Sequence, residues 1–195
     1  MSYTELFGLT KDSTENIGET RNAWRGAMAV WVILEKKYLP KFIPDWAIGL
    51  GGTKQEEGYS RTSTFGENSK MGEIWGLIND SRLSRSEKIV LASTFDNVLA
   101  KVDTIDQVLL AFREFNGETS LREQADVIEQ AIKGNPELIA IGWNQTSVNG
   151  DTWGTENLNE ETEEYTGYNI ETGTRHWFLI EEIDKSEENS IKDLA

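Results

Sequence analysis

The chain has 195 residues, and its 34 aspartates and glutamates against 19 lysines and arginines give it a formal net charge of −15 at pH 7. Such a surface repels nucleic acid, whose binding requires cations that replace condensed counterions, so we expect no direct nucleic-acid binding. The absence of cysteine excludes disulfides, thiol nucleophiles and zinc–thiolate sites.

The length and the hydropathy pattern indicate one domain without a membrane segment. A chain of this length suffices for one well-buried domain and is marginal for two. It has no apolar run long enough to span a bilayer, which takes about 18 residues or more. Its first residues have neither the basic start nor the apolar stretch of a secretory signal, so we expect a cytoplasmic protein.

The N-terminal part alternates between β and helical patterns. Residues 1–20 combine β-prone and turn-forming stretches that predict a hairpin. Residues 20–39 switch to helical spacing, and Pro40 and Pro44 end the predicted helix. The glycine-rich residues 49–69 predict a mobile loop, and residues 70–78 predict a short helix.

Three capping boxes predict the starts of three further helices. Each box places a hydroxyl residue ahead of an acid or amide so that the two side chains can bond free amides at the helix start. The boxes are Ser84–Glu87, Thr104–Gln107 and Ser120–Glu123, and the helices are predicted near 85–100, 105–115 and 121–133. Gly117 and Gly134 are expected to end the last two.

After Pro136 the spacing changes to that of strands. Residues 139–143 predict a strand, Asn149-Gly150 predicts the tight turn of a hairpin, and residues 151–153 begin the return. A polar, acidic loop over 155–168 and a final strand over 175–183 follow.

The whole pattern predicts an α+β fold. Its terminal strands form one antiparallel sheet, packed against a central helical segment of four to five helices. A single domain covers 1–185, and residues 186–195 form a frayed acidic tail.

No catalytic constellation stands out in the sequence. The single histidine, His176, is of a type suited to acid–base work, but it has neither a cysteine partner nor a serine elbow, and an ordinary surface position accounts for it. A dense carboxylate run and its neighbours could hold a hard cation through oxygen, although such runs usually form solvated loops: Glu160, Glu161, Glu163, Glu164, Asp151 and Asn149. We name no catalytic residue, metal site or cofactor.

The candidate binding residues lie in the predicted hairpin, in the acidic run and on the last strand. Large amphipathic rings outside helices can anchor an interface, and hairpin pairing could bring Trp143, Trp153 and Trp177 together. The amides and hydroxyls beside them exceed what a plain hairpin needs. The proposed binding residues are Asn144, Gln145, Thr146, Trp153, Glu160, Glu161, Glu163, Glu164 and Trp177.

Five stretches carry a resemblance to a known family. They are NAWRGAMAVW at 22–31, LEKKYLP at 34–40, EKIVLASTFD at 87–96, AFREFNGETSLREQ at 111–124 and IGWNQTSVNGDTW at 141–153. Together they resemble a family of small acidic proteins from phages and prophages of Gram-positive bacteria. The resemblance implies an accessory protein that acts in the bacterial cytoplasm during infection, and it supplies no catalytic residues.

The leading hypothesis is therefore a phage-encoded accessory protein that binds and inhibits a basic host defence protein, such as a CRISPR nuclease. Residues 154–195 hold twelve acidic and three basic residues, and such a region would complement a basic groove. Acidity that only maintains solubility is the plainer explanation of the charge. The other open functions are a small-molecule or nucleotide-signal binding protein (a sponge), a metal-dependent nuclease, and a virion component. The oligomeric state is left open.

Overall fold

The computed structural model describes residues 3–21, 33, 77–94, 98–116, 120–144, 153, 157–159, 164–166, 168–174 and 176–192. Most of the predicted helix over 20–39 lies outside these residues, although Ile33 is helical and buried. The predicted loop over 49–69, Gly117 and the Asn149-Gly150 turn also lie outside them. Within the described part of the chain, no helix is long and apolar enough to cross a membrane.

The strands in chain order are β1 (Tyr3–Leu9), β2 (Thr14–Arg21), β3 (Val98–Lys101), β4 (Ala140–Asn144), β5 (Asn157–Asn159), β6 (Glu164–Thr166) and β7 (Trp177–Phe178). Five of those described form one sheet in the order β2-β1-β4-β3-β7, and β5 pairs antiparallel with β6 in a second. Within the larger sheet, β3 and β7 run parallel and the other neighbours antiparallel.

The helices are α1 (Arg85–Ala92), α2 (Ile105–Glu114), α3 (Leu121–Gly134) and α4 (Leu179–Lys192). Single-turn 3-10 helices cover Leu77–Asn79 and Val102–Thr104. Each of α2 and α3 has an apolar stripe at helical spacing that is buried. The stripes include Ile105, Val108, Leu109 and Phe112 on α2 and Leu121, Ala125 and Ile128 on α3.

The helices pack against one face of the five-stranded sheet. Because successive strand residues point to opposite faces, alternate positions of β1, β3 and β4 contribute to this main core. The sheet residues of the main core are Leu6, Val98, Ala100, Ile141 and Trp143.

A smaller aromatic cluster covers the opposite face of the sheet. It combines the other set of alternating strand residues with two aromatic side chains from the segment that follows β4. Its buried members are Phe7, Leu9, Leu99, Ala140, Trp153 and Tyr168, with Ile170 and Phe178 packed against them. The sheet is therefore covered by side chains on both faces.

The α+β prediction and the N-terminal hairpin are confirmed, since β1 and β2 pair antiparallel over residues 3–21. The sheet is mixed rather than purely antiparallel, because β7 joins β3 in parallel. The strand predicted over 139–143 is confirmed as β4, whereas the turn and most of the return segment of the predicted hairpin lie outside the described residues. β4 is paired with β1 on one side and, over residues 140–142, with β3 on the other, so no return strand pairs along these three residues.

The helix predicted over 85–100 ends at Ala92, and residues 98–101 form β3 instead. The hydroxyls of Ser93 and Thr94 donate to the carbonyls of Val90 and Leu91, at 2.9 and 2.6 Å, which partners carbonyls that a helix end leaves free. The apolar residues that follow are buried on both faces of the sheet, and periodicity cannot distinguish such a short run from buried helix.

One of the three predicted capping boxes forms. Ser84 and Glu87 make both hydrogen bonds of a box, whereas neither Thr104 nor Ser120 makes a side-chain cap. The 3-10 turn at Val102–Thr104 leads directly into α2, and the hydroxyl of Ser120 accepts a bond from Gln124 instead. Gly134 is the last residue of α3, and the helix is capped by Asn135 in an extended conformation.

The predictions for the C-terminal part need two corrections. The final strand predicted over 175–183 covers only Trp177–Phe178, and residues 186–192, predicted to fray, belong to α4. The burial of Leu179, Ile183 and Ser186 shows the helical spacing that fixes α4 against the core. The loop predicted over 155–168 contains the short strands β5 and β6.

Candidate functional site

Of the residues predicted to bind, the structure describes the side chains of Asn144, Trp153 and Trp177. Glu164 lies in β6, where the backbone alone is described. Outside the described residues lie Gln145, Thr146, Glu160, Glu161 and Glu163.

Asn144 is a buried residue at the end of β4. It is 3 % exposed, and its Nδ2 donates to Oε2 of Glu5 at 2.9 Å. Glu5 is also its cross-strand neighbour in β1. Buried polar groups need hydrogen-bond partners, so this amide serves the sheet by binding the neighbouring carboxylate.

Trp153 is a structural residue of the aromatic cluster. It is 1 % exposed, its Nε1 donates to the main-chain oxygen of Trp143 at 3.0 Å, and its ring meets Tyr168 edge-on at 5.1 Å between centroids. The main-chain amide of Tyr168 also donates to the carbonyl of Trp153 at 2.9 Å. These contacts hold the segment after β4 against the sheet.

The three tryptophans predicted to meet do not form one group. Trp143 faces the helices, where its Nε1 donates to Oε1 of Gln124 at 3.1 Å. Trp153 covers the opposite face of the sheet. Trp177 lies in β7 and is 41 % exposed, so it is the member of the three that reaches the surface.

His176 is held in the aromatic cluster, which differs from the surface position expected from the sequence. Its Nδ1 lies 2.7 Å from the hydroxyl of Tyr168, and its ring meets Phe178 edge-on at 4.8 Å. The preceding turn is compact, because Oδ1 of Asn169 accepts from two following amides. A Cβ at Gly173 would overlap the Tyr168 ring and lie 2.6 Å from the carbonyl of Asn169, so glycine is required there.

The electrostatic surroundings of His176 favour the neutral imidazole. Burial lowers the pKa of His176 below its usual value, the nearby carboxylate of Glu181 opposes that shift, and the ammonium group of Lys101 adds to it. Lys101 pairs with Glu181 and lies 4.1 Å above the Phe178 ring. A neutral ring can accept a hydrogen bond from the Tyr168 hydroxyl, which gives a structural role to this histidine.

Most of the described basic side chains are engaged in ion pairs. Arg85 on α1 contacts Asp184 at 2.6 Å and Glu187 at 2.7 Å on α4, and the buried Lys88 lies 3.7 Å from Glu187. The other described bases that contact a carboxylate are Arg82, Lys101, Arg113, Lys133 and Lys185.

Many carboxylates remain outside these ion pairs. Among the described residues, the exposed acids that form no ion pair with another described residue are Asp12, Glu15, Glu19, Asp103, Asp106, Glu114, Glu123, Glu137, Glu171 and Glu188. Since the described bases mostly face acids already, these carboxylates leave the described surface negative.

Three of the residues on the outer side of α2 form what we term the acidic stripe: Asp106, Leu110 and Glu114. Leu110 is 57 % exposed, and the four-residue spacing places one acid on each side of it along the helix. A cavity of about 330 Å³ opens beside Glu114, between the start of α1 and the end of α2. The residues that line this α1–α2 pocket include Ile33, Ser84, Ser86, Glu87, Glu114 and Phe115.

Sequence reasoning missed the α1–α2 pocket because its walls come from three separate segments of the chain. One signal was nevertheless present. Leu110 lies between two acids on the polar side of a helix whose apolar side is filled by Val108, Leu109 and Phe112. An isolated leucine on a polar face is common. Leu110 therefore indicates a contact surface only together with the neighbouring cavity.

The described residues contain no group of three or more histidines, cysteines, aspartates or glutamates placed to hold a metal ion. The arrangement that they do form is an acidic surface with one exposed leucine and an adjoining pocket. No protein-family model, curated protein or solved structure matches this chain.

Proposed function

We propose that this chain is a binding protein that occupies a basic surface of another protein, and that it inhibits its partner by doing so. A partner that fits this description is a nucleic-acid-cleaving defence protein of a bacterial host, such as a CRISPR nuclease. The resemblance to phage accessory proteins supplies that context, and the charge of the chain supplies the physical argument.

The observation that carries the proposal is the excess of exposed carboxylates that have no basic partner among the described residues. Isolated surface ion pairs contribute little to stability, so an exposed acid without a basic partner costs the folded state little free energy. A net charge of −15 nevertheless produces a field that reaches about a Debye length, which is about 8 Å at physiological salt. A basic groove that normally holds phosphates is the complementary surface.

Electrostatic complementarity chiefly raises the association rate and selects among partners. It therefore predicts which partners this chain would bind: proteins with strongly basic, accessible nucleic-acid grooves. It also predicts competition, because the protein and the nucleic acid would need the same cationic side chains.

The test uses a purified CRISPR nuclease, with and without its guide RNA, and a fluorescent DNA target. We expect the protein to displace the DNA, to block cleavage and to lose affinity steeply as salt is raised. Affinity that is unchanged from low to high salt contradicts the electrostatic mechanism. Undiminished cleavage at saturating protein contradicts inhibition of that nuclease.

A further inference from the structure

The α1–α2 pocket has an apolar wall and an exposed carboxylate beside it. The half-buried Phe115 provides apolar surface, the buried Ile33 lies behind the wall, Glu87 lies on α1, and Glu114 ends α2. Glu114 is exposed and forms no ion pair with another described residue. An occupant that suits these walls has an apolar stem and a positively charged end, which is the form of a lysine or arginine side chain.

The two helix ends at the pocket agree with a cationic occupant. The start of α1 attracts negative charge, but Glu87 already supplies it, because its Oε2 accepts from the amide of Ser84 at 2.8 Å. The end of α2 carries the negative pole of its helix. Its last residue is Glu114, and the next residue, Phe115, is extended. The negative charge at the end of α2 therefore favours a positively charged occupant.

The acidic stripe extends the pocket into a larger contact surface. Leu110 lies one helical turn before Glu114, and Asp106 lies one turn before Leu110. An exposed leucine can anchor a protein partner through apolar contact only if that partner buries the leucine side chain. The two acids beside it select a partner that is itself basic.

We infer that the α1–α2 pocket receives a lysine or arginine side chain of a basic protein partner, while an apolar residue of the same partner covers Leu110. This inference rests on the proposed function and adds the place of contact. The stem of the basic side chain lies against Phe115, and its charge lies beside Glu114.

The experiment uses the full chain, labelled with ¹⁵N, and a short acetylated and amidated peptide that contains two arginines and two leucines. The same peptide with citrulline in place of arginine is the neutral control, because citrulline preserves the shape and removes the charge. We expect saturable shifts of the amides of residues 84–87 and 110–116 with the arginine peptide, and clearly weaker shifts with citrulline.

The matched variants are Glu114→Gln and Glu123→Gln. Both carboxylates are exposed and outside the described ion pairs, but Glu123 lies on α3 and does not line the pocket. We expect Glu114→Gln to weaken peptide affinity about two- to fivefold, as for an exposed ion pair, and Glu123→Gln to leave it unchanged.

The outcomes separate this inference from the proposed function. Saturable shifts that lie only at other acidic residues, or equal shifts with citrulline, overturn the pocket assignment and leave nuclease inhibition standing on its own assay. Equal affinity of the Glu114→Gln variant also overturns it. If no amide shifts with the arginine peptide at low salt, the inference fails, and the proposed function fails with it if the nuclease assay is also negative.

Discussion

Trp153 and Trp143 lie on opposite faces of the five-stranded sheet and are joined by a hydrogen bond of 3.0 Å from the indole Nε1 of Trp153 to the main-chain oxygen of Trp143. Gly142 precedes Trp143 in β4, and a Cβ at Gly142 would point at the Trp153 ring. The absence of a side chain at Gly142 allows the indole to lie directly against β4. The hydrogen bond between Trp153 and Trp143 therefore depends on glycine at position 142.

Gly142→Ala should weaken this contact. The added Cβ would lie 2.9 Å from Cε2 and from Nε1 of Trp153, so the buried indole must move. Overpacking of this kind typically lowers the free energy of unfolding by about 1–3 kcal/mol. Urea unfolding followed by tryptophan fluorescence measures it.

The control for this substitution is Gly134→Ala, because a Cβ at Gly134 would meet nothing within 4 Å. It is expected to leave the stability unchanged or slightly raised, since alanine favours a helix more than glycine does. Equal stability of the two variants would contradict the structural role of Gly142.

Gln124→Met should destabilise the main core. The amide of Gln124 accepts from Nε1 of Trp143 at 3.1 Å and donates to the hydroxyl of Ser120 at 3.0 Å, and all three residues are buried. Methionine keeps the approximate shape and leaves the indole N–H without its acceptor, which costs about 1–3 kcal/mol. The same substitution at the exposed Gln130 on α3 should change the unfolding free energy by less than about 0.5 kcal/mol. A Gln124→Met variant as stable as this control would refute the prediction.

His176 should make the protein less stable in mild acid. Because burial lowers its pKa below the usual 6.5, the unfolded chain binds more protons than the folded chain between the two pKa values, and stability rises with pH there. The contribution of the neutral imidazole is complete above about pH 6.5 and is lost as the pH falls through the folded pKa.

The chain has one histidine, so an NMR titration of its ring protons measures that pKa without ambiguity. Unfolding measured from pH 7 to pH 5 should show a smaller loss of stability for His176→Gln than for the native protein. A ring that titrates at or above 6.5, or identical pH profiles, would show that burial does not govern this group.

Ser84→Ala should cost more than Thr104→Ala, although the sequence predicts a capping box at both. Ser84 accepts from the amide of Glu87 at 3.2 Å and completes a box, whereas Thr104 makes no side-chain cap. The loss of an N-cap typically lowers stability by about 1 kcal/mol. Thermal or urea unfolding of the two variants measures the difference, and equal losses would contradict it.

The sequence predicted the features that depend on neighbouring residues. The hairpin of β1 and β2, the box at Ser84 and the starts of α1, α2 and α3 all follow from local spacing. β3 was missed because Val98 and Leu99 continue an apolar pattern that a helix could also use. Leu99 pairs with Gly142 and Phe178 on distant strands, and Val98 pairs with Trp177. Such tertiary partners override local preference.

The candidate site shows the same division. Trp177 was predicted to be available and is exposed, while Asn144 and Trp153 were predicted for binding and are buried. Amides and aromatic rings serve a surface or a core equally well, so residue type alone could not decide. The α1–α2 pocket requires Ile33, Ser84 and Phe115 to meet, which no local pattern encodes.

The position of β4 between β1 and β3 has a kinetic consequence. β1 pairs with β2, which is nearby in the chain. The other edge of β1 pairs with β4 at residues 140–144, and β7, which pairs with β3, comes still later in the chain. Contacts between residues so distant in sequence slow folding. During synthesis, the first hairpin would emerge with Leu6, Phe7 and Leu9 uncovered and one edge open, which makes that stage the one most exposed to aggregation.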